Sequence, residues 1–282
     1  MSRTNPVEDS LNDKVVVITR ASSGFGRGAA LAFARAGAVL VLAARRGEVL
    51  DEVTRSCIAE GGEALAVEMD VSDPVDVAQL AREATTRHGR IDIWINNAAA
   101  AAVGRFDAIP LDDHAQVIET TLLGTLYGCY LALRQFRRQR QGTLINVASV
   151  IGEGTPLSSA SYAAASRGVA GLSVALRLEL AETGEDRDIR VCTLLTSTRG
   201  TTSSPRASHQ SARAMTPPPA DDARDVVDAL MALARNPRDE MFVEPIRKTV
   251  AAADRRSPAR AEKSKPRKGP RRRSVQAGRA EA

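Results

Sequence analysis

The sequence predicts an α/β fold: one doubly wound domain with a parallel sheet of seven strands flanked by helices. Three observations carry this. Short apolar runs alternate with helical stretches from Lys14 to Val243, the pattern of a parallel sheet, because each crossover between parallel strands needs a helix. The first run, Val15 to Ile18, passes through a glycine turn, Thr19-Arg20-Ala21-Ser22-Ser23-Gly24-Phe25-Gly26, into an Ala-rich amphipathic stretch, Gly28 to Ala36. With 43% apolar content over 282 residues, the chain can also fill one large core.

Taken in order, Ala38 to Ala43 is a second strand ending at Arg45-Arg46, and Glu48 to Ala59 has the spacing and charge of a helix. Ala64 to Glu68, with its exit at Asp70-Val71, is a third strand, Pro74 to Arg87 a helix, and Ile91 to Ile95 a fourth strand running into Asn96-Asn97-Ala98-Ala99. Asp113 to Arg137 reads as one long helix, Thr143 to Ala148 as a fifth strand, Ser161 to Glu182 as a helix and Ile189 to Leu195 as a sixth strand. Ala220 to Arg235 and Glu240 to Val243 supply the last helix and a short last strand. The domain is expected over 14–245, after an N-terminal extension at 1–13. Within it, Thr196 to Pro219 is rich in Ser, Thr and Pro and buries little surface, so it is expected to be mobile; residues 246–282 are expected to form a disordered basic tail.

The formal charge of +5 belongs to that tail: residues 254–282 hold 11 Lys/Arg against 3 Asp/Glu, leaving 28 against 31 in the body, a net of −3. The body therefore offers no basic surface for nucleic acid, and only weak binding through the tail is expected. Cys57, Cys129 and Cys192 lack metal spacing and are expected to be reduced, which points to a cytoplasmic protein. The N-terminus has no apolar signal-peptide core, and no stretch has the apolar length of a membrane span. His88, His114 and His209 have no second ligand at i+3 or i+4 and read as surface or loop histidines.

A strand, glycine turn and helix bring backbone N–H groups and a helix N-terminus up to a phosphate. The turn resembles the T-G-x-x-x-G-x-G turn of the short-chain dehydrogenase/reductase family, with Gly24 and Gly26 in place and Arg20 at the first glycine. Ser149, at the end of the fifth strand, and Tyr162, thirteen residues later, resemble that family's active-site pair. The likeness extends over Lys14 to Val243, with Asn96-Asn97-Ala98 a further match. It implies a Rossmann-type domain and a homo-oligomer built by pairing the helices on either side of the fifth strand. It also implies that Tyr162 is the general acid or base for a carbonyl or alcohol oxygen, that Ser149 polarises the same oxygen, and that hydride passes to or from a nicotinamide. Thr19, Ser22, Ser23, Phe25, Asp70, Val71, Asn97, Ala98, Ala99 and Thr201 are the implied cofactor contacts beside the turn glycines. Ala44 stands where an acidic residue would bind the ribose 2′-OH, and Arg45 and Arg46 follow, so NADP(H) is favoured over NAD(H).

Four departures weigh against full activity. Ser166 holds the position of the family lysine that binds the nicotinamide ribose and lowers the tyrosine pKa. Arg167, one place on, lies about 140° around a helix from Tyr162 and so points to another face. Thr121 holds the active-site asparagine position, and Ala99 replaces the glycine of Asn-Asn-Ala-Gly. Thr196-Ser197 replaces a Pro-Gly-like turn after the sixth strand. Two readings stand: an NADP(H)-dependent oxidoreductase with weakened catalysis on a small-molecule carbonyl or secondary alcohol, or a pseudoenzyme that keeps the fold for a cofactor-binding, regulatory or scaffold role.

Overall fold

The computed structural model describes residues 11–149, 159–196 and 223–243. Its sheet is built from β1 (Val15–Thr19), β2 (Val39–Ala44), β3 (Glu63–Glu68), β4 (Ile93–Asn96), β5 (Gly142–Ser149), β6 (Ile189–Thr196) and β7 (Glu240–Phe242). All pair in parallel, in the order β3-β2-β1-β4-β5-β6-β7. The chain winds outward from β1 to β3, then returns to β4 on the other side of β1. That reversal opens a crevice at the carboxyl ends of β1 and β4, where ligands of such sheets bind.

Helices explain why the strands read as unbroken apolar runs. α1 (Gly24–Arg35), α2 (Gly47–Ala59) and α7 (Ala223–Arg235) pack Phe33, Leu50 and Leu230 on Val16, Ile18 and Leu40 on one face. α3 (Pro74–His88) and α5 (Gly124–Gln139) pack Leu80 and Phe136 on Val15, Val17 and Val41 on the other. Alternate residues of β1 thus enter opposite cores, and a strand covered on both faces has no polar face to show. Leu11, in the stretch expected to precede the domain, is buried in the first of these cores.

Most strand and helix boundaries fall within two residues of expectation; α1 begins at Gly24, four residues before the expected Gly28, and α7 is described from Ala223, residues 220–222 lying outside the described residues. One element differs in kind. The single helix expected over Asp113–Arg137 is α4 (Leu111–Ile118), a π-helical turn (Glu119–Leu123) and then α5. At that turn Thr121 reaches sideways to the backbone of Ala100, and Thr125 Oγ1 takes the Thr121 carbonyl at 2.8 Å. Just beyond it, Gly124 passes so close to Val71 that a Cβ would stand 2.9 Å from Val71 Cγ2. Hydropathy periodicity does not register one widened turn. α6 (Ala160–Thr183) completes the domain.

The three cysteines are free and buried. No described helix is long and apolar enough to cross a membrane, and no metal-holding group of three His, Cys, Asp or Glu occurs among the described residues. His88 corrects the surface assignment, since its ring is almost covered and Nδ1 lies 3.8 Å from the Glu63 carboxylate. Thr201, His209, most of the Thr196–Pro219 segment and the basic tail lie outside the described residues.

Candidate active site

The glycine turn is clipped to the neighbouring strand by one hydroxyl. Thr19 Oγ1 donates to Ile95 O at 3.3 Å and accepts the backbone N–H groups of Asn97 and Ala98 at 2.9 and 3.2 Å, while Asn97 Nδ2 donates to Thr19 O at 3.1 Å. This fastening holds the ends of β1 and β4 together at the crevice. Gly24 turns at φ +54°, a left-handed conformation that suits glycine. Gly26 is needed for space, because a Cβ there would lie 2.3 Å from Arg20 O and 2.8 Å from Asn97 Nδ2.

Arg20 shares the left-handed conformation, φ +54°, without being glycine. Its side chain is half-buried. Burial pushes the guanidinium pKa down; Tyr162 opposes this, and the charges of Arg45 and Arg46 add to it. Three arginines therefore gather at the carboxyl edge of β1 and β2, with Tyr162 within electrostatic reach of the first. Arg45 Nη1 lies 3.7 Å from Asp70 Oδ2, and Asp70 Oδ1 also accepts Ser72 N and Oγ at 2.9 and 2.7 Å. The expected adenine contact and one of the expected phosphate contacts are thus tied to each other. Val71 is buried beside Gly124.

Tyr162 lies in the first turn of α6 and Ser149 at the end of β5, both buried. Ser149 pairs in register with Thr196 and donates to its carbonyl at 3.2 Å. Burial raises the Tyr162 phenol pKa, while the hydroxyls of Ser166 and Ser149 and the charge of Arg20 pull it back. Ser166 is 1% exposed. Its hydroxyl approaches the phenol closely enough to act on it, yet its buried Oγ completes no hydrogen bond of normal geometry. Arg167 is exposed, as its place on the helix requires. Ala99 to Ala102 pack against Tyr162 and Val117, so the loop after β4 forms the apolar wall of the phenol.

Thr121 is more capable than its length suggests: Oγ1 accepts Ala100 N at 3.0 Å and donates to Ala100 O at 3.2 Å. One hydroxyl thereby satisfies both backbone groups of that loop residue. Beneath the site a buried polar ladder joins the elements: Trp94 Nε1 to Asn96 Oδ1, Asn96 Nδ2 to Asn146 Oδ1, and Asn146 Nδ2 to Ser173 Oγ, at 2.8, 2.8 and 2.9 Å.

His114 is the second correction to the histidine reading, being buried and paired rather than on the surface. Its Nε2 lies 2.9 Å from Phe106 O. A carbonyl only accepts, so Nε2 carries a proton, and Nδ1 is bonded to Ser161 Oγ, next to Tyr162. Nothing in the sequence links His114 to Ser161, because 47 residues separate them; only the packing of α4 on α6 brings them together.

The crevice suits a dinucleotide. Gly26 leaves room that a Cβ would fill, the α1 N-terminus has no side-chain cap and no acidic residue in its first turn, and arginines stand at the β2 exit.

Residues 14–211 match the short chain dehydrogenase family. An uncharacterized oxidoreductase of Bacillus subtilis, YxnA, is 33% identical over 249 residues, 86% of this chain and 68% of that protein. The meso-2,3-butanediol dehydrogenase of Serratia marcescens is 36% identical over 168 residues, 60% of this chain and 66% of its own. Among solved structures, a metagenomic short-chain oxidoreductase in complex with NADP has a TM-score of 0.69 at 26% identity, covering 83% of this chain and 97% of that one. A short-chain dehydrogenase/reductase from Burkholderia xenovorans has a TM-score of 0.71 at 25% identity, covering 84% and 97%. With the family match spanning most of the chain and the sheet, glycine turn and crevice in place, this protein belongs to the short-chain dehydrogenase family.

Proposed function

We propose that this chain is an NADP(H)-dependent oxidoreductase that moves hydride between a nicotinamide and a carbonyl or secondary alcohol, with weakened catalysis. The observation that carries this reading is the interaction of buried Tyr162 with buried Ser149, which closes β5. The cofactor would supply the hydride acceptor or donor. Ser22, Ser23 and the backbone of Gly24 to Gly26 would hold its diphosphate, and Arg45 and Arg46 its 2′-phosphate. Asp70 and Val71 would meet the adenine, Asn97 to Ala99 the adenosine, and Thr201 the nicotinamide end. The NADP complex of the metagenomic relative and the alcohol-directed name of the Serratia relative support the assignment.

In reduction the Tyr162 hydroxyl would donate its proton to the substrate oxygen while Ser149 steadies that oxygen, and in oxidation the phenolate would take the alcohol proton. Ser166 cannot supply the positive charge that eases this transfer, which is why the rate is expected to be low. A neutral, buried Ser166 at the place of the family lysine favours one second reading, a protein that binds the cofactor without turnover. A reducing cytoplasm suits the three free thiols, and 14–245 would form the catalytic unit.

Titration with NADPH and NADH, followed by turnover on a ketone and aldehyde panel, separates the readings. The oxidoreductase reading expects NADPH to bind more tightly, Arg45→Ala to cost that preference about tenfold or more, and Tyr162→Phe to abolish turnover. NADPH binding without turnover, unchanged by Ser166→Lys, would instead establish the pseudoenzyme.

A further inference from the structure

The ring of His114 joins two parts of the molecule that the backbone does not. On one side Nε2 donates to Phe106 O at 2.9 Å, and the ring packs on that of Phe106 with centroids 4.5 Å apart. Phe106 opens a 3-10 turn, Phe106–Ala108, in the loop after β4. On the other side Nδ1 is bonded to Ser161 Oγ, in the first turn of α6 and next in the chain to Tyr162. One turn along α4 from His114, Val117 packs on Tyr162 itself, together with Ala99 to Ala102 of the same loop. α4 therefore holds the start of α6 at two neighbouring residues, one by a hydrogen bond and one by apolar contact.

The start of α6 needs such a hold. Ser159, at the cap position, makes no side-chain capping bond, and the first turn has no acidic residue, so neither of the usual N-terminal stabilisers is in place. Gly168 seats the helix on the π-helical turn, where a Cβ would lie 2.9 Å from Leu122 Cδ1. That seat lies beyond Tyr162, so a rotation of the first turn about it carries the phenol along.

We infer that His114 is a positioning residue for Tyr162: by holding Ser161 and the Phe106 carbonyl at once, it fixes the first turn of α6 against the loop after β4 and so sets where the phenol oxygen stands. It acts through Ser161 and touches no reacting atom. The inference deepens the oxidoreductase reading, and its kinetic consequence rests on that reading. An acid or base must keep its oxygen within hydrogen-bond reach of the substrate oxygen, and a misplacement of about 1 Å costs up to about 100-fold in rate. Two directed bonds to one rigid ring resist such a slide better than apolar packing does, because hydrogen bonds weaken steeply off their preferred angle.

Four variants of the full chain test this. Ser161→Ala removes the hydroxyl, Ser161→Thr keeps it, His114→Phe keeps a ring against Phe106 without either bond, and the double variant of His114→Phe with Ser161→Ala closes the cycle. Tyr127, Tyr130 and Tyr162 are the three tyrosines of the chain, so fluorotyrosine-labelled protein gives three 19F signals, and Tyr162→Phe identifies the third. The Tyr162 signal is expected to shift or broaden in Ser161→Ala and in His114→Phe, to change no further in the double variant, and to stay close to wild type in Ser161→Thr. The Tyr127 and Tyr130 signals should not move. Where wild type turns over a ketone, kcat should fall roughly tenfold or more in the same variants and be retained in Ser161→Thr. A Tyr162 signal unmoved by Ser161→Ala and His114→Phe, or moved equally by Ser161→Thr, would overturn the inference, and so would changes spread over all three tyrosines or additive effects in the double variant. If His114→Phe fails to fold, the contrast between Ser161→Ala and Ser161→Thr decides alone. The 19F measurement needs neither cofactor nor substrate: the expected shifts without turnover in any version would uphold His114 and sink the oxidoreductase reading, whereas turnover without the shifts would do the reverse.

Discussion

At the scale of single residues, the site depends on close approaches that leave no room for added atoms. Gly26→Ala would drive a methyl into Arg20 O and Asn97 Nδ2, 2.3 and 2.8 Å away. Backbone and a bonded amide must shift, so the variant is expected to lose about 1–3 kcal/mol of stability in thermal melts and its affinity for NADPH in titration. The cysteines give a pH-dependent counterpart. Burial raises the Cys57 and Cys192 thiols to about 11 and Cys129 to about 12, and the thiolate is the form that reacts. Native protein at pH 8 should therefore resist iodoacetamide, and urea-unfolded protein should take up three labels. Because these folded pKa values lie above the unfolded value near 8.5, the unfolded chain sheds protons first as pH rises. The stabilisation from these thiols is complete below about pH 8.5 and lost as pH climbs through the range from there to the folded values.

At the scale of elements, helix ends show how local chemistry sets boundaries. α3 begins where the Asp73 side chain accepts Val75 N at 2.8 Å with Pro74 in the first turn, and ends on Gly89 at φ +76°. Asp73→Ala should cost about 1 kcal/mol by denaturant melting. This start and stop are legible in the sequence, as Asp-Pro ahead of an amphipathic run and Gly after it. The break between α4 and α5 is not, since it arises from Thr121 reaching Ala100 and from Gly124 crowding Val71, residues far apart in the chain. The two bonds of Thr121 likewise depend on where the loop after β4 passes.

At the scale of the molecule, α5 and α6 carry exposed apolar pairs at i and i+4: Leu126 and Tyr130, and Val174 and Leu178. Such stripes favour association, consistent with the homo-oligomer that we propose. Leu178→Arg is therefore expected to lower the molar mass seen by light scattering at micromolar concentration, with the helical signal retained; an unchanged mass, or a monomeric wild type, would count against it.

The sequence by itself determined the seven strands, their alternation with helices and the glycine turn. Each is written in short-range terms: apolar runs of strand length, and glycines where a Cβ has no room. It also placed Ser166 and Arg167 correctly relative to Tyr162, because helix geometry is local. Only the tertiary structure decided the rest. Arg45 meets Asp70, and His114 meets Ser161, through the order of strands in the sheet and the packing of α4 on α6. Such contacts depend on distance in space, and no pattern along the chain encodes which groups far apart in sequence will meet.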